Sequence, residues 1–365
     1  MQFTGWFVFF GFIFLISCFF SIFLDLYSIM AVYNYVNFNL TFTLSLGITT
    51  LLVMFMLLVS CWGNCFTRTL YFIASVIVGS LVYLTFACII FNIANAIKPL
   101  PFWLGKVLIF GLSLPIILYG LINASFLKLE EITLKIPQIK RPLSIMHLSD
   151  LHLGPIYGSR YVTKISSIIN SLQPDLVVIT GDLFDGTLKI THDMIAPFRD
   201  IPKKIFYVLG NHEEYGNLDD VNEAIKDTNI TLIRNSIVEF QGCNFIGIDY
   251  LSTTGPLKAQ LTALKIPLDA ANILLYHAPV MTADDLEKQG ICLHLCGHTH
   301  GGQMIPGHLV TWVLCKYFGG LYKSTSENCY VHVSTGTGTA GPPMRVFSTT
   351  RMTLIKINPE KEEIV

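Results

Sequence analysis

At 365 residues the chain has room for about two units of the usual ~100 to 200 residues. Charged side chains are only 13% of it, and residues 1–126 contain just Asp25, Arg68, Lys98 and Lys106. Residues 127–365 keep 21 basic and 24 acidic side chains, a net charge of about −3, and without a basic surplus nucleic acid is excluded as the natural partner.

Four apolar runs open the chain, Thr4 to Leu24, Thr43 to Trp62, Thr69 to Asn92 and Val107 to Ala124. Each approaches the ~20 residues that a helix needs to cross ~30 Å of hydrocarbon. They predict an all-α region of four transmembrane helices over residues 1–126, with the lipid bilayer as partner. The first run has no Lys or Arg before it and exceeds the length of a signal-peptide core, which favours an anchor over a cleaved signal. No ionisable residue sits mid-run, so the bundle reads as an anchor or lipid platform rather than an ion path. If the helices alternate, Arg68, Lys128, Lys135, Lys140 and Arg141 share a side opposite Lys98 and Lys106, which puts the 127–365 domain in the cytoplasm. Its cysteines, Cys243, Cys292, Cys296, Cys315 and Cys329, are odd in number and lack framework spacing, as a reducing compartment allows.

Beyond Leu143, short apolar runs alternate with helical patterns, the mark of layered α/β structure. Strands are expected at Leu143 to Leu148, Leu176 to Thr180, Ile205 to Leu209, Phe245 to Ile248, Ile273 to Tyr276, Ile291 to Leu295, Val331 to Val333 and Met352 to Ile357. Val162, Ile165, Ile169 and Leu172 recur at helical spacing, and Thr282 with Asp285 marks a helix start.

Polar residues that favour metals cluster just past these strands: Asp150 and His152, Asp182, Asn211 and His212, His277, then His298 and His300. Ligands bind at the carboxyl ends of strands in such sheets, so five loops would deliver these side chains to one rim. Nitrogen and oxygen donors without thiolate suit Mn²⁺, Fe²⁺ or Zn²⁺ better than Ca²⁺ or Mg²⁺, with Mn²⁺ the first choice. Seven donors exceed the needs of one ion and match two divalent ions ~3.5 to 4 Å apart, which would activate a water near neutral pH and clamp phosphate oxygens. Hydrolysis of a phosphorus ester fits that hardware, with His212 left over to hand a proton to the leaving oxygen.

In order, Ser149-Asp150-Leu151-His152-Leu153-Gly154, Gly181-Asp182-Leu183-Phe184-Asp185-Gly186, Gly210-Asn211-His212-Glu213, His277 in Leu-Tyr-His-Ala-Pro, and Gly297-His298-Thr299-His300-Gly301-Gly302-Gln303 resemble the five blocks of the calcineurin-like metallophosphoesterases. The resemblance covers about residues 143 to 357 and implies a four-layer αββα sandwich. By position it implies Asp150, His152 and His300 on the first metal and Asp182 as bridge. Asn211, His277 and His298 would hold the second metal, with His212 as acid or phosphate-orienting group and Asp185 bracing a loop. Gly301-Gly302-Gln303, Ser334-Thr335-Gly336 and Gly341-Pro342-Pro343-Met344-Arg345 look like the branch of membrane-tethered or exported bacterial phosphodiesterases, similar to a UDP-2,3-diacylglucosamine pyrophosphatase of lipid A synthesis, which implies a bacterial inner membrane. Two departures, Ala278-Pro279-Val280 after His277 and Cys292 where Asp is common, touch substrate fit rather than metal binding.

Other residues carry plainer readings. His147 is expected in the core, His192 and His308 at the surface, and Cys292 and Cys296 as buried free thiols. Arg345 could hold a substrate phosphate bidentately or form a structural salt bridge. The stretch from Leu309 to Tyr322, with Trp312, Phe318, Leu321 and Tyr322, is expected to pack on its own domain rather than form an acyl-chain flap. The leading function is a membrane-anchored phosphodiesterase or pyrophosphatase acting on an amphipathic, phosphate-containing substrate. The alternatives are a phosphoesterase for soluble substrates and a non-catalytic metal-bearing scaffold.

Overall fold

The computed structural model describes residue 55 and residues 64–186, 190–215, 217–250 and 255–359. The chain divides into two compact units, one running to Ile122 and taking in Gly341–Met344, the other formed by Asn123–Ala340 and Arg345 onward. The first two apolar runs lie outside the described residues, apart from residue 55.

The other two runs are helices, α1 (Cys65–Ile97) and α2 (Phe102–Ser125). The side chain of Asn64 caps α1 by accepting from the Thr67 N–H at 2.9 Å. Spans of 20 residues in α1 and 23 in α2 are long and apolar enough to cross a bilayer. Their polarity is inverted relative to a water-soluble helix. Ser75 and Ser113 are buried and return their hydroxyls to the carbonyls one turn back, while Ile73, Ile90, Leu114 and Leu118 are exposed. Two candidate membrane helices are therefore seen among the described residues, and a set of four is not.

The second unit holds two six-stranded sheets. The first comprises β1 (Lys128–Lys135), β2 (Leu143–Leu148), β3 (Leu176–Thr180), β4 (Ile205–Val208), β5 (Ile230–Leu232) and β12 (Arg351–Asn358), in the order β1-β12-β2-β3-β4-β5. The second comprises β6 (Ser236–Phe240), β7 (Cys243–Gly247), β8 (Ala271–Leu275), β9 (Leu293–Cys296), β10 (Gly320–Lys323) and β11 (Tyr330–Val333), in the order β10-β11-β9-β8-β7-β6. Strands β2 to β5 run parallel, as do β7, β8, β9 and β11, so the carboxyl ends within each set lie along one edge.

Alternation along the strands sorts side chains into layers. Ile145, Val178, Phe206, Phe245, Ile273 and Leu295 fill the space between the sheets. Met146, Val177, Ile179 and Tyr207 face the other way, onto α3 (Ser159–Leu172) and α4 (Leu218–Ile225), through Val162, Ile165, Ile169 and Val221. On the far side Ile246, Leu274 and Val331 meet α5 (Leu257–Ala263) and α6 (Ala283–Glu287), whose N-cap Thr282 accepts from the Asp285 N–H. The mixed α/β architecture is thus helices, sheet, sheet, helices.

One expectation fails in the second sheet. The segment after the last histidines forms α7 (Gly307–Leu314), whose large apolar side chains are all exposed, although Tyr317 and Tyr322 beyond it do pack on the outer core. His308, expected at the surface, is half-buried with its ring 5.5 Å from that of Phe318.

Candidate metal centre

Register brings the donors together. Leu148 pairs with Ile179 and Ile179 with Tyr207, so the loops after β2, β3 and β4 leave the sheet side by side. The ladder continues into them, with the N–H of Asp150 donating to Gly181 O and that of His152 to Asp182 O, both at 3.0 Å. From the other sheet, the Gly297 N–H donates to His277 O at 2.8 Å, joining the loops after β8 and β9. The backbone must pass extremely close here. A Cβ on Gly210 would collide with the Asp182 carboxylate, and one on Gly297 with Asp150 and Ser149, so only glycine fits.

Asp150, His152, Asp182, Asn211, His277, His298 and His300 all face one centre. His152 Nε2 lies 3.0 Å from His300 Nε2, and His300 Nε2 lies 3.4 Å from Asp150 Oδ1. On the other side His277 Nε2 is 3.1 Å from Asn211 Oδ1 and 3.2 Å from His298 Nδ1. Asp182 Oδ2 stands between the two sets, 3.2 Å from His277 Nε2 and 3.8 Å from His152 Nε2. Among the described residues three groups of donors are compact enough for an ion: Asp150 with His152 and His300, Asp182 with His277 and His298, and His152 with Asp185 and His212.

These donors fit divalent cations. Imidazole nitrogens facing one another at 3.0 and 3.2 Å, beside the buried carboxylates of Asp150 and Asp182, which have no lysine or arginine ion-pair partner among the described residues, form a pocket that a cation completes. Titration reflects the same crowding. Burial works to lower the His277 pKa, but Asp182, Asp150 and the Thr180 carbonyl outweigh it and raise it to about 10. Burial would lift the Asp182 carboxyl, yet His277 and His212 hold it well below the usual range. His298 and His300 have less compensation. Burial and neighbouring imidazoles push His298 down to about 3 and His300 well down.

Surrounding groups fix the donors. His277 Nδ1 donates to Thr180 O at 2.8 Å, leaving Nε2 for the centre. Asp185 Oδ1 lies 3.4 Å from His152 Nδ1, within ion-pair distance but without the geometry of a hydrogen bond. His212 donates its backbone N–H to Asp182 Oδ1 at 2.9 Å and its Nδ1–H to Asp185 O at 2.8 Å, which aims the opposite ring edge away from that loop.

Arg345 departs from the reading that it meets a substrate phosphate. Its side chain is completely buried and donates to His300 O at 2.5 Å, Gly338 O at 2.6 Å and Ser348 Oγ at 2.8 Å. The guanidinium supports the His300 loop instead.

Three residues beyond the sequence reading shape the site. Glu213, fully buried, accepts from the N–H groups of Asp182, Phe184 and Gly210 at 3.0, 2.9 and 2.7 Å, clasping the Asp182 loop to the Asn211 loop. Thr180 orients His277, and the Tyr250 ring sits 5.6 and 5.4 Å from those of His277 and His298. An acid directly after Gly-Asn-His was the only hint for Glu213.

Comparison with known proteins agrees with this geometry. The calcineurin-like phosphoesterase family matches residues 143–302. An uncharacterised metallophosphoesterase of Campylobacter jejuni is 33% identical over 267 residues, 70% of this chain and 71% of that protein. A transmembrane protein with metallophosphoesterase domain from Danio rerio is 30% identical over 259 residues, 65% of this chain and 59% of that one. A solved dimetal phosphatase, also from Danio rerio, overlaps 55% of this chain and 89% of its own at 13% identity and a TM-score of 0.35. With a relative at that identity and coverage, and five donor-bearing loops on one rim, the chain belongs to the calcineurin-like metallophosphoesterases.

Proposed function

We propose that this protein is a membrane-anchored, two-metal phosphoesterase that hydrolyses a phosphodiester or pyrophosphate bond in an amphipathic substrate. The observation that carries the reaction class is the position of Asp182 Oδ2, which faces His277 on one side and His152 on the other. Asp150, His152 and His300 would hold one divalent ion, Asn211, His277 and His298 the other, and Asp182 would span both. The ions would supply charge for the phosphate oxygens and a low-pKa water as nucleophile.

The protein's own groups do the rest. Thr180 O presents the imidazole of His277 in one tautomer, and the Asp185 carboxylate stands within ion-pair distance of His152. His212, held through Nδ1, would give a proton to the leaving oxygen from Nε2. Glu213 and Arg345 keep the donor loops in register without touching substrate.

The amphipathic substrate is supported by the chain's connectivity. Only Phe126 and Leu127 separate α2 from β1, so the tether holds the catalytic unit at the bilayer surface however it turns. A UDP-linked diacyl sugar is the specific candidate that the sequence motifs bring forward, with Mn²⁺ as metal and the catalytic unit on the cytoplasmic face of a bacterial inner membrane. The test is a hydrolysis panel on the full-length protein with Mn²⁺, spanning UDP-diacylglucosamine, phospholipids, nucleotides and bis(p-nitrophenyl) phosphate. Turnover confined to small soluble esters would remove the amphipathic substrate, and no turnover of any ester by metal-loaded protein would remove the enzyme.

A further inference from the structure

Helix α7 is built inside out. Its half-buried positions are Gly307, His308 and Thr311, and Gly307 sits against the backbone of Gly302. Leu309, Val310, Trp312, Val313 and Leu314 are all more than half exposed, with Trp312 at 75%. At 3.6 residues per turn those five side chains cover about 200° of the helix circumference, and the polar residues fill the rest. A helix meant for water would turn the other way.

The same rim carries a second exposed anchor and joins the membrane exit. The Val346 N–H donates to Gln303 O at 3.0 Å, which brings Phe347, 74% exposed, beside the segment leading into α7. Asn123, in the last turn of α2, donates to Arg345 O at 2.9 Å and Ser348 O at 2.7 Å, and Thr350 Oγ1 donates to Phe126 O at 2.7 Å. The point where the chain leaves its spanning helix is thus fastened to the loop that bears Phe347 and supports His300 through Ser348 Oγ. Lys316, exposed just past α7, adds a cation suited to anionic headgroups.

We propose that α7 and Phe347 insert into the headgroup and upper acyl layer of the bilayer in which α2 is anchored. His300 lies only seven residues before α7, and the Gly302 carbonyl between them abuts Gly307 at the start of that helix. Docking therefore opens the donor rim toward the lipid surface, from which an amphipathic phosphate ester enters headgroup first. The occupant is lipid rather than a protein groove because the apolar arc is too broad for one partner face, and because the neighbouring chain already enters the membrane. This inference rests on the proposed membrane anchoring and deepens the proposed substrate class.

Fluorescence quenching tests it without relying on activity. Full-length protein and its Trp312→Phe variant are reconstituted into phosphatidylcholine and phosphatidylglycerol vesicles, with brominated phosphatidylcholine or with iodide on both sides. The difference between the two emissions isolates Trp312 from Trp6, Trp62 and Trp103. Bromolipid should quench at least about half of that difference while iodide leaves it largely intact, as burial at acyl depth requires. Quenching by iodide alone would overturn the proposal. Shielding from both would overturn it too, since a protein would then cover α7. A Leu309→Glu/Val313→Glu variant should lose about tenfold or more in kcat/KM on a bilayer-embedded phosphodiester, as a lost surface anchor implies, while retaining its rate on bis(p-nitrophenyl) phosphate. An unchanged ratio of the two rates would overturn docking, whereas absence of both activities in the unsubstituted protein would count against the phosphoesterase and leave the quenching result standing.

Discussion

The rim that carries His152, His277, His298 and His300 and the inter-sheet layer that carries His147 and His332 both bury imidazoles, but in different company. On the rim each ring nitrogen that faces inward meets a carboxylate or another imidazole. Between the sheets His147 Nδ1 pairs with His332 Nδ1 at 2.8 Å and its Nε2 with Thr180 Oγ1 at 2.8 Å, and no carboxylate takes part. Burial then wins, pushing His147 well down and His332 down to about 3. On the rim Asp182 and Asp150 outweigh burial at His277 and raise it to about 10, while His298 and His300 fall as His147 and His332 do, so the adjacent carboxylates rather than the direction of the shift separate the rim from the inter-sheet pair.

Removing the shared carboxylate should have the largest effect on this contrast. Asp182→Ala is expected to lose both metals and all hydrolysis, measured as bound metal by elemental analysis beside turnover, and retention of either ion would break the bridging role. His212→Ala should keep its metal and lose about 10² to 10⁴ in turnover. A near-normal rate would remove His212 as proton donor.

Glu213→Ala tests the frame of the rim. It would strand three buried N–H groups, each costing ~1 to 3 kcal/mol. The catalytic unit should lose on the order of 10 °C in Tm at ~2 to 4 °C per kcal/mol, while Glu213→Gln, which retains one acceptor oxygen, loses less.

The inter-sheet pair makes the smallest prediction, and its sign is fixed. His332 titrates near 6.5 when unfolded and near 3 when folded, so the unfolded state binds the proton first as pH falls. Its contribution is complete above about pH 6.5 and is lost as pH drops toward 3. Denaturant titrations between pH 7 and 4 should show a shallower decline for His332→Gln than for the unsubstituted protein, and equal slopes would refute the neutral pair.

Much of the centre was legible because its residues obey a local rule. β3 and β4 are buried on both faces and read as apolar runs, and β2 is interrupted only by Ser144 and His147, so the polar residues just past each run stand out. Strands β1, β5, β6 and β10 left no such trace. All four are edge strands, short or with charged residues on the exposed face, as in Lys128–Lys135. Backbone conformation was equally silent. Asp150, His152, Asp182, His298 and His300 all adopt positive φ, between 49° and 70°, a region disfavoured by roughly 1 to 2 kcal/mol per residue. Five of seven candidate ligands share it, and no residue type announces that. Arg345 was ambiguous for another reason. A guanidinium serves a phosphate and a set of carbonyls alike, and only its burial separates them.

Strand β1 begins three residues after α2 ends and pairs in parallel with β12 over its full length, from Lys128 with Arg351 to Lys135 with Asn358. The candidate membrane helix and the sheet margin are thus consecutive stretches of one polypeptide. Proteolytic shedding at Phe126 or Leu127 would free a catalytic body with its sheet intact. A cut nearer Leu143, where the family match starts, would strip away the outermost strand and leave β12 as a bare, pairing-competent border prone to self-association.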